Sequence, residues 1–374
     1  MISEELSLNQ IIKEPMQLTL QLAARGKYTV SPNPMVGAVI LKDNRLIGYG
    51  YHLYRGDAHA ESKAIDMAGI NVEGAILYLN LEPCCHYGLT PPCVDKIIAA
   101  KIVEVHFASI DPNPVVQGKS ITKLKQAGIE VIIGELKEEA EQLNKSYYYY
   151  MENKLPFVIA KWAMTTDGKI GTARDSKWIT GEKSRENAHY LRNSVDAILI
   201  GSVTAIKDNP SLNVRVSNLA NLKQPLKFIL GKNLDSLPLD SNLFTINPEK
   251  TYLVTSDNFN IEKAEILKKM RVNFLEVKKL IDDSIDLRDL LRKMADLSVS
   301  RLLIEGGGYT LAKFLQADLI NEFYCYIAAK FIGGLNSIAP FNQDIGVDSI
   351  KHNKQAKFTE IAFIGEDVLI QGKF

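Results

Sequence analysis

Apolar and polar residues along the first 150 positions follow two different periods, and these periods predict the elements. Residues 16–24, entered after Pro15, carry apolar side chains at helical spacing. Strand-length runs follow at 36–41 and 46–51, joined by the polar Lys42-Asp43-Asn44-Arg45, which predicts a hairpin. Helical spacing returns at 60–67, 94–100 and 121–127, and strand-like runs stand at 75–81, 103–108 and 131–133. Residues 136–150, rich in Glu and Lys, predict one more helix, ending in Tyr147-Tyr148-Tyr149-Tyr150. Strands alternating with helices imply a layered α/β domain.

Asn153-Lys154-Leu155-Pro156 breaks the pattern and sets a boundary, giving domains 1–153 and 154–374. The tyrosine run just before it is expected to pack between domains or subunits. The second half is also α/β, with strands predicted at 157–163, 197–201, 228–230, 251–254, 302–305 and 323–327. Helices are predicted at 184–194, 263–270, 287–296 and 310–317. No internal repeat or low-complexity tract appears, and the halves do not resemble one another.

Composition narrows the function classes. A chain of 374 residues has room for two cores. Its 44 basic and 44 acidic residues give no footprint for duplex nucleic acid or an anionic membrane. No apolar run approaches the roughly 20 residues of a membrane span, and residues 1–15 lack the pattern of a secretory signal. Cys84 and Cys85 are adjacent, Cys93 is near and Cys325 distant, which suits metal use in a reducing, cytoplasmic setting.

The sharpest chemical signal is His59-Ala60-Glu61 followed by Pro83-Cys84 and Cys93. Two thiolates and an imidazole hold zinc and leave a fourth position open for water, the mark of a catalytic site. The metal makes that water a usable hydroxide near neutral pH. Glu61, two residues from a ligand, is placed to move protons, as in zinc-dependent nucleobase deaminases. The spacing departs from the usual Cys-x-x-Cys of those enzymes: here it is Cys84-x8-Cys93. His-x-Glu alone recurs by chance, whereas the ordered set within one α/β domain does not. Cys85 directly follows a ligand, points away from the metal and reads as a filler. The second half has neither Gly-x-Gly-x-x-Gly nor a Walker loop, only Glu305-Gly306-Gly307-Gly308 at a strand-to-helix turn.

Longer motifs add a family. Asn33-Pro34-Met35-Val36-Gly37-Ala38-Val39, His59-Ala60-Glu61, the stretch from Leu81 through Cys93, and Asp111-Pro112-Asn113-Pro114 resemble the bifunctional deaminase/reductase of riboflavin biosynthesis. That family has the Cys-x8-Cys spacing. Asp167-Gly168-Lys169-Ile170, Ser176-Lys177-Trp178-Ile179-Thr180, Leu191-Arg192 and the stretch from Asp208 through Arg215 are similar to its reductase half. The resemblance implies a cytidine-deaminase-like three-layer α/β/α domain followed by a dihydrofolate-reductase-like α/β domain. It implies one zinc ion per chain and NADPH, and a homo-oligomer. The substrate it implies is a diaminopyrimidinone bearing a ribosylamino 5′-phosphate, which loses its 2-amino group and is then reduced from ribosyl to ribityl.

By matched position, His59, Cys84 and Cys93 hold the metal and Glu61 is catalytic. Asn33, His52, His86 and Asn113 line the deaminase pocket. Ser176, Arg192, Leu212, Arg215 and Glu305 contact the reductase substrate, with Arg192 and Arg215 on its phosphate. Ala163, Trp178, Thr204, Asp208, Gly307, Gly308 and Tyr309 contact NADPH. Leu89 stands where the family has Lys or Arg, and Arg55 is expected to supply that charge instead. Two rival readings are a deaminase of another nucleotide or of tRNA, and a binding protein without turnover. Balanced charge opposes the first, and the intact zinc constellation opposes the second.

Overall fold

The computed structural model describes residues 6–88, 91–172, 175, 178–216, 222–231, 234–256, 259–334, 336–341 and 350–374. It divides into two compact units, Met1–Lys154 and Leu155–Phe374.

The strands of the first unit are β1 (Gly37–Lys42), β2 (Arg45–Tyr51), β3 (Ile76–Leu79), β4 (Glu104–Phe107) and β5 (Glu130–Ile133). They form one sheet in the order β2-β1-β3-β4-β5. β1 runs antiparallel to both β2 and β3, while β3, β4 and β5 are mutually parallel. Its helices are α1 (Pro15–Ala23), α2 (Ala60–Ala68), α3 (Cys93–Ala99), α4 (Lys119–Gln126), α5 (Lys137–Leu143) and α6 (Lys145–Asn153). The continuous apolar run of β1 is explained by burial on both faces. Ala38 and Ile40 pack with Ala64 of α2, Ile97 of α3 and Leu124 of α4. Val39 and Leu41 point the other way, onto Leu18 and Leu22 of α1. The unit is therefore three layers, helices on both faces of one sheet.

The single helix predicted over 136–150 is instead α5 and α6. Asn144, buried between them, accepts from the Met35 N–H at 2.8 Å and donates to the Met35 carbonyl at 2.9 Å. A tertiary bond overrides local propensity there. Two of the four tyrosines, Tyr147 and Tyr148, are used inside this unit. The Tyr147 hydroxyl donates to Asp111 Oδ1 at 3.0 Å, and that of Tyr148 donates to Ser109 Oγ at 2.8 Å.

The second unit contains β6 (Phe157–Thr165), β7 (Ala197–Gly201), β8 (Leu226–Leu230), β9 (Thr251–Thr255), β10 (Asn273–Glu276), β11 (Arg301–Ile304), β12 (Glu322–Ala328), β13 (Lys357–Ile364) and β14 (Asp367–Lys373). They make a nine-stranded sheet in the order β10-β9-β8-β7-β11-β6-β12-β14-β13. Strands from β10 to β12 are parallel, and β14 and β13 extend the sheet antiparallel. Its helices are α7 (Glu182–Asn193), α8 (Ser202–Asp208), α9 (Asn242–Thr245), α10 (Ile261–Lys269), α11 (Leu287–Asp296) and α12 (Gly308–Gln316). The apolar pattern did not anticipate α8, α9, β10 or the hairpin β13–β14. β7 and β11 are adjacent in the sheet; β7 runs directly into α8, and β11 reaches α12 through Glu305-Gly306-Gly307. Two helix N-termini therefore open side by side at the carboxyl ends of these strands.

Candidate functional site

In the first unit, two helix starts and one loop converge. His59 is the residue before α2, Cys93 opens α3, and Cys84 lies in the loop after β3. α2 lies directly on the backbone of β2: a Cβ on Gly50 would stand 2.4 Å from the Ala60 carbonyl oxygen. Glycine at that position lets the start of α2, with His59 and Glu61, come this close.

The possible ligand atoms of His59, Cys84 and Cys93 all lie within 4.8 Å of one another. His59 Nδ1 is 3.2 Å from Cys93 Sγ and 3.5 Å from Cys84 Sγ. The Cys93 N–H, at a helix start, donates to Cys84 Sγ at 3.3 Å. The Cys84 thiol is lowered to about 4, first by the Cys93 thiol and then by the His59 ring and the Cys93 N–H, against the opposing effect of burial. Cys93 is pushed up, because its thiol donates to Cys84 and is itself buried. His59 is raised by its bond to Cys84. One imidazole and two sulfurs at this spacing fit zinc with a position left open.

Glu61 is 4% exposed, and its Oε2 is buried without a hydrogen-bond partner. Burial raises its carboxyl above the usual range. A buried carboxylate with one oxygen unpaired beside three metal donors is costly for folding and useful for moving protons. His52 is also buried, its Nε2 3.1 Å from Asn33 Nδ2, and its ring meets that of His59 edge-on at 5.4 Å. Burial, followed by the nearby His59, lowers its pKa and keeps it neutral. His86 keeps a buried Nδ1 without a partner. Asn113 Oδ1 accepts from the Val115 N–H at 3.1 Å and shapes the turn. Arg55 is exposed in the loop before α2, and Leu89 lies outside the described residues. Cys85 packs against the main core cluster, away from the metal donors.

Glu82 entered the sequence reading only as part of the Glu82-Pro83-Cys84 motif, with no role of its own. It is 3% exposed, and its carboxylate accepts from the N–H groups of Asp111, Gly118 and Ser120 and from the Ser120 hydroxyl. It thus ties the cysteine loop to the loop bearing Asn113. Only the fold brings those amides together, so the motif alone did not give this role.

In the second unit a cleft of about 1920 Å³ opens at the carboxyl ends of β6, β7, β8 and β11, the usual ligand position in such sheets. Arg192, Leu212, Arg215 and Glu305 line it, as do Ala163, Trp178, Thr204, Asp208, Gly307, Gly308 and Tyr309. Ser176 lies outside the described residues. Gly307, before α12, donates its N–H to Thr204 Oγ1 at 3.1 Å, joining the starts of α12 and α8. A Cβ on Gly308 would stand 2.7 Å from the Ala339 carbonyl oxygen, so the turn needs glycine there. Trp178 is 64% exposed and carries the Arg185 guanidinium 5.0 Å from its ring centroid. Leu212 is buried with φ at 50°, a left-handed backbone uncommon for a bulky residue and typical of strained functional loops.

Arg192, on the cleft wall, is paired with Glu305. Its Nε and Nη2 make a bidentate pair with Glu305 Oε1 and Oε2, both at 2.7 Å, and its Nη1 donates to the Asn213 carbonyl at 3.2 Å. Arg215 is exposed on the cleft wall. Lys161 and His189 are among the lining residues that went unpredicted. Lys161 on β6 has Nζ 5.6 Å from the Tyr326 ring centroid, and burial lowers its ammonium pKa while Glu305 opposes that. A lone cation within an apolar central strand was its sequence signal. His189 is lowered to about 4, first by burial and then by Arg192 and Arg215, which makes it neutral.

Two family models match the chain. That of the RibD C-terminal domain covers residues 156–370, and that of the cytidine and deoxycytidylate deaminase zinc-binding region covers residues 10–109. The chain is 39% identical over 364 residues to riboflavin biosynthesis protein RibD of Aquifex aeolicus, spanning 97% of this chain and 98% of the relative. It is 35% identical over 370 residues to RibD of Escherichia coli, spanning 95% and 97%. Acinetobacter baumannii RibD superposes with a TM-score of 0.88 at 34% identity, covering 96% of this chain and 97% of that one. A diaminohydroxyphosphoribosylaminopyrimidine deaminase/5-amino-6-(5-phosphoribosylamino)uracil reductase from Thermotoga maritima superposes at 0.82 with 33% identity, again covering 96% and 97%. A cytidine-deaminase-like unit with its zinc donors in place and a dihydrofolate-reductase-like unit with its cleft, matched along almost their whole length, mean that the chain belongs to the RibD family of riboflavin biosynthesis and is a bifunctional zinc-dependent deaminase and NADPH-dependent reductase.

Proposed function

We propose that residues 1–153 deaminate a diaminopyrimidinone ribosylamino 5′-phosphate and residues 154–374 reduce the product, with the residue roles below. The observation that carries the first half is the buried, unpartnered Glu61 Oε2 beside the His59, Cys84 and Cys93 donors. Zinc, when bound there, supplies the Lewis acidity that brings water into the range of a neutral-pH nucleophile. Glu61 takes a proton from the attacking water and passes it to the ring nitrogen and then the departing amine. The C2–O bond forms, the C2–N bond breaks, and ammonia leaves. Asn33 and His52, joined at 3.1 Å, offer a neutral amide and imidazole to the ring edge, and His86 offers its unpaired Nδ1. Arg55 is our candidate for the substrate phosphate, and Arg55→Ala is expected to raise the KM for the phosphorylated substrate several-fold with kcat unchanged. An unchanged KM rules the contact out.

In the second half the reduction delivers hydride from NADPH to C1′ and a proton to the ribose ring oxygen, opening the ring. Gly307, Gly308 and Thr204 shape the start of α12 for the cofactor phosphates, and Arg215 faces the substrate phosphate. We assign the proton to Lys161, since a buried amine beside Glu305 and within the cleft can give it up. Lys161→Met is expected to cut NADPH oxidation by about 10²-fold or more with cofactor affinity unchanged. Near-normal kcat in stopped-flow turnover with the deaminated substrate removes Lys161 from that role.

The wider reading is a cytoplasmic homo-oligomer, supported by the cysteine usage and by an exposed apolar stripe in the second unit. Among the described residues no helix is long and apolar enough to cross a membrane. The function itself is tested by supplying the phosphorylated diaminopyrimidinone and following ammonia release and loss of NADPH absorbance together. Ammonia followed by NADPH loss supports both halves. Ammonia alone leaves the second reading without support, and no ammonia overturns the first.

A further inference from the structure

The Asp167-Gly168-Lys169-Ile170 motif has no part in the chemistry above, yet it holds one wall of the reductase cleft. Asp167 sits in the turn after β6, closed by the Gly168 N–H on the Thr165 carbonyl at 2.9 Å. Its carboxylate accepts from the Ile332 N–H at 3.2 Å, the Gly333 N–H at 2.7 Å and the Thr165 hydroxyl. Successive backbone N–H groups aimed at one anion form a nest, and Gly333 and Gly334, with φ at 64° and 78°, let the chain curl into it. Just before the nest, Lys330 donates to the Ile179 carbonyl at 2.6 Å and the Trp178 carbonyl at 3.3 Å. Farther along, the Ile170 N–H donates to the Ile338 carbonyl at 2.7 Å, and the Ile338 N–H donates to the Gly171 carbonyl at 2.9 Å. Ala339 and Pro340 then lie against Gly308, where a Cβ would stand 2.7 and 3.0 Å from their carbonyl oxygens. Ile170, Trp178, Ile179, Gly308 and Ile338 all line the cleft.

We propose that Asp167 and Lys330 are positioning residues for the reductase. They lash residues 330–334 and 336–341 down as a strap that holds Trp178, Ile179 and the start of α12 in the geometry that receives NADPH. This rests on the reading above that Trp178 and the start of α12 meet the cofactor. Apolar packing does little for the near end of the strap, since Phe331 is 77% exposed and Ile332 is 37% exposed. Its apolar anchor is at the far end, where the Phe341 ring meets that of Trp162 edge-on at 5.2 Å. Hydrogen bonds with one ionised partner are the stronger kind, so the Asp167 carboxylate and the Lys330 ammonium decide where the near end lies. A surface segment held in this way opens at the low end of the stability scale, well before the sheet beneath it. Cutting either tie therefore frees the strap and leaves the nine-stranded sheet folded. A cofactor that must first order the strap binds more weakly, in proportion to the fraction of chains in which the strap is already down.

Calorimetric titration of the full zinc-loaded chain with NADPH tests this on the parent, Asp167→Asn, Lys330→Met and Lys330→Arg. Asp167→Asn and Lys330→Met are expected to raise the Kd for NADPH about 10-fold, and its KM by a similar factor, while kcat at saturating NADPH stays within about 3-fold. Lys330→Arg still donates to both carbonyls and should remain within about 3-fold of the parent Kd. The double variant Asp167→Asn/Lys330→Met should bind no more weakly than the weaker single one, because either cut frees the same strap. Ammonia release and the urea midpoint of the second unit should not move, and chymotrypsin should cut after Phe331 faster in both variants than in the parent. A parent that fails to bind NADPH overturns the cofactor reading and this proposal with it. A parent that binds, beside single variants of equal affinity, overturns the strap alone. A weaker Kd that tracks a fall in the urea midpoint, or that is fully additive in the double variant, makes these ordinary structural contacts and overturns the positioning role. Should Asp167→Asn misfold, Gly333→Val replaces it: a side chain there meets nothing within 4 Å and disturbs the nest only through its φ. The same rise in Kd is expected, and an unchanged Kd overturns the proposal.

Discussion

Glu61→Gln is expected to keep zinc bound at full occupancy and lower the kcat of deamination by about 10²–10⁴-fold, the range for losing a positioned proton shuttle. Glutamine preserves the shape of the side chain, and Glu61 is not among the three donors that cluster. What is lost is the ability to take a proton from water and return it to the amine. Stability should move the other way. The carboxylate is buried with Oε2 unpaired, so a neutral amide removes a desolvation cost, and the Tm of the variant should equal or exceed that of the parent. Reduction of an already deaminated substrate should be untouched. Ammonia assay, metal analysis and thermal melting check the three parts. Normal ammonia release by Glu61→Gln would remove the shuttle role, and loss of zinc would make Glu61 a ligand.

The site was readable because its chemistry fixes residue types at set spacings: His59-Ala60-Glu61, Pro83-Cys84 and Cys93 form an ordered set of zinc donors with one acid beside them. Regular elements were legible for a different reason. Strand 197–201 and helix 287–296 carry unmixed periodic signals, and both match their observed bounds, Ala197–Gly201 and Leu287–Asp296. Where tertiary contacts decide, the pattern failed. Asn144 splits a helix because Met35, more than a hundred residues earlier, takes its amide. The hairpin β13–β14 escaped notice because its bulge breaks strict alternation and its apolar face is exposed. α8 is rich in β-branched Val203, Thr204 and Ile206, which weaken a helical signal. The roles of Glu82 and Lys161 depend on neighbours that only folding supplies, and so does the pairing of Arg192 with Glu305.

That pair yields a second large effect. Glu305 is held at about 2, with burial raising it but Arg192 and then Lys161 lowering it further. Its folded pKa lies below its unfolded value near 4.5, so the pair contributes stability that is fully present above about pH 4.5. The contribution is lost as pH falls toward 2, and amounts to about 3 kcal/mol at neutral pH. Arg192→Met should leave a buried carboxylate with only Lys161 as a nearby cation, and should cost about 3–5 kcal/mol at pH 7. Both tryptophans, Trp162 and Trp178, lie in the second unit, so their fluorescence in urea reports that unit alone. The pH dependence separates an ion pair from mere packing. The parent should lose stability between about pH 4.5 and 2, whereas Arg192→Met should gain relative to it as Glu305 takes up a proton. The double variant Arg192→Met/Glu305→Leu should recover most of the neutral-pH loss, because two apolar groups remove both desolvation costs. Recovery of folding without recovery of NADPH oxidation would show that the pair serves the substrate as well as the core. If Arg192→Met unfolds at the parent's urea midpoint at pH 7, the buried pair is not holding this unit together.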